Sequence, residues 1–266
     1  FSEIGQMAGV DATEWSWSAL FADYDNDGLK DLFISNGYPQ DIINLDFVVY
    51  GDKELTMGQL PQADDDARRA LSNELPGIKL HNYMYRNKGD LTFTDVSESW
   101  GMGVSTYSSG GAYPDLDHDG DLDMVINNVD EEAMLWESHV NQSKTGSTQN
   151  YLRISLVGPL LNREGIGTTI NLRNRGTLQH QYFSPFRGYL STVEPYLHFG
   201  LGTSAVADSV EVIWPDGKYQ LLRNVNANQV LKVDYGQATA RESISKSTPA
   251  TLFESADSTL NLSYSH

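Results

Sequence analysis

Two nine-residue acidic segments set 92 positions apart constrain this chain most. Asp23-Tyr24-Asp25-Asn26-Asp27-Gly28-Leu29-Lys30-Asp31 and Asp115-Leu116-Asp117-His118-Asp119-Gly120-Asp121-Leu122-Asp123 both read D-x-D-x-D-G-x-x-D. The match runs past the loops. Phe1, Glu3, Ile4 and Gly9 align with Phe93, Asp95, Val96 and Gly101, and Ser16, Ile34 and Asn36 align with Ser108, Ile126 and Asn128. A shared acidic loop alone could be chance. Apolar, glycine and acidic positions kept in step over about 36 residues mean a repeated structural unit.

Each unit reads as short strands. Residues 15–22 precede the first loop, and Leu32-Phe33-Ile34-Ser35 follows it and ends in an Asn36-Gly37 turn signal. Met124-Val125-Ile126-Asn127 follows the second loop. Further strands are predicted at 81–86 and 91–96, joined by the turn Asn87-Lys88-Gly89-Asp90. Four short strands joined by turns make a propeller blade. The period exceeds the usual blade of about 40–50 residues. Residues 38–80 account for the excess as an insertion. Within it, Gln62–Leu75 reads as a helix with Ala67, Ala70, Leu71 and Leu75 on one face, ended by Pro76-Gly77.

Carboxylates at positions 1, 3 and 5 of a tight loop can converge on one hard cation. Glycine at position 6 permits the sharp turn, and position 7 can offer its carbonyl. An EF-hand also needs a bidentate Glu at position 12, which here is Ile34 or Ile126. Strands rather than helices flank both loops. The reading is therefore a strand–loop–strand calcium site, twice. Expected ligands in the first are Asp23, Asp25, Asp27 and Asp31 with the Leu29 carbonyl. In the second they are Asp115, Asp117, Asp119 and Asp123 with the Asp121 carbonyl, the Asp121 side chain pointing outward. Magnesium suits a crowded all-protein cage less well. Extracellular modules bind calcium at roughly 0.1–1 mM. In a few millimolar free ion each such site adds about 2 kcal/mol of stability. The expected role is structural and the expected location extracytoplasmic.

Charge agrees with a cation partner. The chain carries 36 Asp and Glu against 18 Lys and Arg, and residues 1–149 hold 27 of the acids but only 8 of the bases. A nucleic-acid binder needs the opposite surface to displace counterions from phosphates. No apolar run approaches the length of a transmembrane helix. Cysteine is absent, which removes disulfides, thiolate metal sites and cysteine nucleophiles together.

Residues 150–236 form a second region in which acids and bases nearly balance. Leu152, Ile154 and Leu156 alternate with polar residues, as do Val210, Val212 and Trp214. Trp214-Pro215-Asp216-Gly217 is a turn in which Pro fixes φ and Gly takes the left-handed position. Gly165-Ile166-Gly167 lacks the Lys-Ser/Thr of a phosphate loop and reads as a tight strand entry. Residues 237–250 read as a linker. Thr251-Leu252-Phe253-Glu254-Ser255 echoes the element at Phe1 and Phe93 and reads as the start of a further repeat within 237–266.

The acidic loops, with the F-x-E/D-I/V…G elements before them, resemble the FG-GAP/VCBS repeats of integrin-like β-propellers over residues 1–37 and 81–140. Residues 150–235 resemble the ASPIC/UnbV domain through Asn150–Leu156, Gly158, Asn162–Gly167, Gly188-Tyr189, His198-Phe199-Gly200-Leu201-Gly202, Trp214–Gly217 and Asn228-Gln229. The pairing is similar to that in large surface proteins of Bacteroidetes-type bacteria. The resemblance implies an all-β chain: calcium-binding blades of an incomplete propeller with a helical insertion, then a small β-sandwich-like domain. Two blades cannot close a propeller, which takes 4–8. The chain is therefore expected to be an internal piece of a longer protein.

The leading functional reading is a secreted or surface-exposed binding and scaffolding module. Its partner would be a protein or glycan at the cell surface, or an outer-membrane assembly, with Phe47 and Tyr50 of the insertion as anchors. The alternative is a lyase-like enzyme acting on polysaccharide, with His180, Arg187, Tyr189, Tyr196 and His198 as its acid–base and carboxylate-binding set. RNA binding through Arg153, Arg163, Arg173 and Arg175 lacks an aromatic stacking platform. Neither G-x-S-x-G nor H-E-x-x-H occurs.

Overall fold

The computed structural model describes residues 2–39, 79–141 and 149–240. The expected helix Gln62–Leu75, Phe47, Tyr50 and the repeat-like tail at 251–266 lie outside the described residues.

Among the described residues the regular structure is almost entirely β. It opens with one helical turn, α1 (Gly5–Ala8), followed by β1 (Ser16–Ala22), β2 (Asp31–Asn36), β3 (Leu80–His81), β4 (Tyr83–Asn87) and β5 (Phe93–Asp95). β1, β2, β4 and β5 form one antiparallel sheet in that order. β6 (Ser105–Thr106) pairs with β3. β7 (Ser108–Ala112), β8 (Met124–Asn128) and β9 (Met134–Trp136) form the next sheet.

The 92-residue offset reappears in backbone detail. The β1–β2 ladder shifts register between Ser16 and Ala19, and the β7–β8 ladder shifts between Ser108 and Gly111. Ahead of each sheet the chain makes the same turn. Trp100 N–H bonds to the Val96 carbonyl as Ala8 does to Ile4, and Gly101 and Gly9 close it at φ +85 and +75. These left-handed positions suit glycine.

The two sheets face each other. Leu20, Phe33 and Met84 of the first meet Leu122, Met124 and Ile126, with Met102 beside them. Burial alternates along β1 and β8, whereas every residue of β2 is buried.

The C-terminal region contains β10 (Asn150–Val157), β11 (Thr169–Asn174), β12 (Thr177–Tyr182), β13 (Tyr196–Gly202), β14 (Val206–Ile213), β15 (Lys218–Asn226), β16 (Gln229–Asp234) and β17 (Thr239–Ala240). Three strands ordered β13-β10-β16 cover five ordered β12-β11-β14-β15-β17. Leu152, Ile154, Phe199 and Leu201 from one layer pack on Ile170, Leu172, Val210 and Val212 from the other, all almost fully buried. The layers are also laced by side-chain amides. Asn174, Gln179 and Gln181 donate to the carbonyls of Leu201, Gly200 and His198, which satisfies part of the β13 edge.

The turn at 214–217 forms as its residues predict. Gly217 sits at φ +85 and the Trp214 N–H bonds to the Lys218 carbonyl at 2.8 Å. Trp214 is buried, and Tyr235 meets its ring edge-on at 5.3 Å. Residues 237–240, expected to open the linker, remain in this region. Thr239 and Ala240 pair with Tyr219 and Lys218.

Candidate metal centres

Loop 1 (residues 23–31) joins β1 to β2, and loop 2 (residues 115–123) joins β7 to β8. Their backbones agree position by position. Position 4 is left-handed in both, Asn26 at φ +58 and His118 at +64, and Gly28 and Gly120 follow at +97 and +91. The Leu29 N–H bonds to Asp27 Oδ1 at 2.8 Å, as that of Asp121 does to Asp119 Oδ1 at 2.9 Å. This winding turns the acids inward. Carboxylate oxygens of Asp23, Asp25 and Asp27 lie within 4.8 Å of one another, as do those of Asp115, Asp117 and Asp119.

The acid at position 9 of each loop has another visible task. Asp31 accepts the Tyr24 N–H at 3.1 Å and the Asn87 N–H at 2.9 Å. Asp123 accepts the Leu116 and Ser138 N–H groups, both at 2.9 Å. Each therefore staples its loop entrance to a later segment of chain. Neither belongs to the three-carboxylate clusters.

Asp121 differs from expectation. Its side chain is fully buried rather than outward. It accepts from Asn26 Nδ2 at 3.0 Å, from the Asn141 N–H at 2.8 Å and from Asn141 Nδ2 at 2.6 Å. Loop 1 and residue 141 close over it, and neither contact has a local sequence signal.

Crowding and burial disfavour ionisation. Asp23 is held well above the usual carboxylate range, by burial first and then by Asp27 and Asp25. Burial pushes Asp31 up to about 7 and Asp121 up to about 6. Asp25 is raised by burial and by Asp27, against the lowering effect of Arg86. A divalent cation among these oxygens reverses the balance, because its charge favours the ionised form.

The donor set fits such an ion. Every clustered group is a hard oxygen, as calcium requires. In loop 2, Asp115 is buried and its Oδ1 has no hydrogen-bond partner. A buried, unpaired carboxylate oxygen is costly unless something fills its coordination.

Basic partners were not legible in the sequence. Arg86, on β4, donates through Nε to Asp25 Oδ2 at 2.6 Å and through Nη2 to Asp27 Oδ2 at 3.1 Å. Arg153, on β10, is buried and donates through Nη1 to Asp115 Oδ2 at 2.7 Å and through Nη2 to Glu194 Oε1. Tyr196 lies under that guanidinium, its ring centre at 4.4 Å.

The residues considered for polysaccharide chemistry have other duties. His198 is buried and bonds Asn26 Oδ1 through Nε2 at 2.6 Å. Burial, and then the charge of Arg153, pushes it down to about 3. Arg187 donates to the Ser184 and Tyr182 carbonyls. His180 bonds Asn171, and Tyr189 packs on Trp17 at 4.6 Å. Arg187, Tyr196 and His198 share a cavity of about 20 Å³, room for a water and not for a sugar ring.

Both loops lean on the C-terminal region, and that region is recognisable. Residues 158–240 match the family model described as ASPIC and UnbV. The chain carries an ASPIC/UnbV domain. Similarity extends beyond this domain. Cartilage acidic protein 1 of Homo sapiens is 30% identical over 161 residues, or 59% of this chain and 24% of that protein. The Mus musculus protein of the same name is 29% identical over 162 residues, 60% of this chain and 24% of its own length. The Xenopus tropicalis one is 34% identical over 150 residues, 55% of this chain and 22% of its own. The chain thus spans about a quarter of the length of these relatives.

The ASPIC/UnbV domain supplies β13, whose His198–Gly202 run was singled out in the sequence. Its glycines let loop 1 come close. The Gly200 N–H donates to Asp23 Oδ2 at 3.1 Å, and a Cβ there would stand 2.1 Å from that oxygen. The Gly202 N–H donates to the Asn26 carbonyl at 2.9 Å. Among the described residues, no helix is long and apolar enough to cross a membrane, which says nothing of a β-barrel.

Proposed function

We propose that the chain is a secreted or cell-surface binding and scaffolding module within a longer protein, stabilised by two calcium ions. The first would sit among Asp23, Asp25 and Asp27, the second among Asp115, Asp117 and Asp119. The carbonyls of Leu29 and Asp121 are the expected further ligands, and Asp31 and Asp123 brace the loops. In this reading the two sheets of residues 16–136 are blades of an FG-GAP-type propeller that other parts of the protein complete.

One observation carries the reading most. Two loops 92 residues apart wind identically around three carboxylates each, and in loop 2 the buried Asp115 Oδ1 lacks a partner. An oxygen cage that recurs in register is better suited to a resident hard cation than to solvent alone. Calcium sites of extracellular strength remain filled outside cells and empty in cytosol, which supports an extracytoplasmic location. The relatives' name, cartilage acidic protein 1, fits the same location, because cartilage is mostly matrix outside cells. The partner is a protein or glycan at that surface, or in a bacterial envelope a subunit of an outer-membrane assembly.

Titration calorimetry of calcium into chelator-treated protein tests this. The expected result is two sites with dissociation constants of roughly 0.1–1 mM and weaker binding of magnesium. Absence of calcium heat, together with an unchanged melting temperature in excess calcium, overturns it.

A further inference from the structure

Asn26 occupies position 4 of loop 1, is 1% exposed and holds a left-handed backbone. Its hydrogen-bonding groups leave the loop in three directions. Nδ2 donates to the Gly120 carbonyl at 3.1 Å and to Asp121 Oδ1 at 3.0 Å, both in loop 2. Oδ1 accepts from His198 Nε2 on β13, and the Asn26 carbonyl accepts the Gly202 N–H. Since Oδ1 can only accept, the His198 proton lies on Nε2. The equivalent residue of loop 2, His118, is exposed. The crosslink is thus not a by-product of the repeat.

The walls around this side chain are tight. Gly120 admits the Tyr151 ring, which a Cβ would meet at 1.8 Å, and Tyr151 lies nearly parallel to His198 with ring centres 6.0 Å apart. Asp23, the first expected ligand of loop 1, already receives the Gly200 N–H from the ASPIC/UnbV domain. Ordering loop 1 fixes the Asn26 backbone. That aims its amide at Gly120 and Asp121, the turn and position-7 residue of loop 2. A loop whose turn is already held binds its ion with less ordering left to do.

We infer that Asn26 is a positioning residue that couples the two cation loops to each other and to the ASPIC/UnbV domain, so that calcium binds cooperatively and the domain junction tightens as it binds. This rests on the calcium reading above. It requires that filling either loop strengthens binding at the other by the same factor.

The test compares the full chain with Asn26→Gly, which keeps the left-handed backbone accessible and removes the amide. Calcium calorimetry of the parent is expected to show a Hill coefficient of roughly 1.5, falling to about 1 in the variant. Disabling loop 2 with Asp117→Asn and Asp119→Asn is expected to weaken loop 1 by on the order of fivefold in the parent background and not in Asn26→Gly. Hydrogen exchange at the Gly200 and Gly202 amides is expected to slow with calcium in the parent and by less in Asn26→Gly, which keeps both of their bonds but loses the side-chain contact to His198. Asp121→Asn serves as a second variant should Asn26→Gly fail to fold in calcium, judged by circular dichroism. Calcium heat from two independent sites in the parent, with the same loop 1 affinity whether or not loop 2 works, overturns the coupling and leaves the calcium reading standing. No calcium heat at all overturns both.

Discussion

Loop 1 and loop 2 share a backbone and differ in how their charge is handled. In loop 1 the floor acid, Asp23, rests on peptide N–H groups of Asp27, Gly28 and Gly200. Its rim acids, Asp25 and Asp27, share the half-exposed Arg86. Loop 2 places its arginine at the floor: Asp115 is paired with Arg153, whose side chain is 3% exposed, and one carboxylate oxygen is left over. The same loop can thus be neutralised by dispersed backbone dipoles or by a buried guanidinium. Loop geometry is encoded locally, whereas neutralisation is supplied by whichever strand arrives beside it.

The largest effect separating the two arrangements is expected at Arg153. Arg153→Met leaves Asp115 and Glu194 without their shared cation, and breaking such a buried set typically costs about 3–5 kcal/mol. Denaturant unfolding in excess calcium measures it, and a loss no larger than that for Arg86→Met would erase the distinction between floor and rim. Next come the ions. Asp25→Asn and Asp117→Asn should each remove about 2 kcal/mol of calcium-dependent stability, read as the difference between melts in calcium and in chelator. If one of them leaves that difference intact, its loop holds no ion.

Acid distinguishes the junction from the loops. His198 has its folded value pushed down to about 3, below the 6.5 of an unfolded histidine. As pH falls between these values the unfolded chain gains a proton that the folded one refuses, so stability drops. Above 6.5 the group contributes nothing. By pH 5 the loss is about 2 kcal/mol. The buried carboxylates act oppositely in chelator: with folded values raised, Asp31 and Asp121 favour folding at acid pH and lose that contribution as pH rises through about 7 and about 6. Comparing the parent with His198→Gln from pH 7.5 to 5 in chelator cancels the carboxylates. Parallel pH profiles would show that His198 is not the buried neutral base described above.

The smallest effect is expected at Arg86. Its guanidinium competes with a cation for Asp25 and Asp27 but is half-exposed, so water screens it. Arg86→Gln should tighten calcium at loop 1 by about threefold and leave loop 2 unchanged. Calorimetry in a background with loop 2 disabled reads this directly, and weaker binding would make Arg86 a support of the site rather than a competitor.

Much of this was readable in residue order. Short strand-like runs bounded by turn signals marked β1, β2 and β8, alternation marked β10, and D-x-D-x-D-G marked both loops. Trp214-Pro215-Asp216-Gly217 marked its turn. These signals act over a few residues. The outward placement expected for Asp121 failed because the groups that bury it, Asn26 and Asn141, lie 95 and 20 positions away. The glycines of 198–202 carried a hint, since close approach needs a missing side chain, but not the identity of what approaches.

The amino-acid order alone determined the strand periods, the repeated turn and the concentration of acid in the first region, because each depends on neighbours a few bonds away. Tertiary structure decided which acids keep company with which bases, that His198 is a buried anchor, and that Asn26 touches loop 2 and β13 at once. The Asn26–His198 contact spans 172 positions. Charge interactions depend on distance through space and on burial, and folding sets both only after distant strands have met.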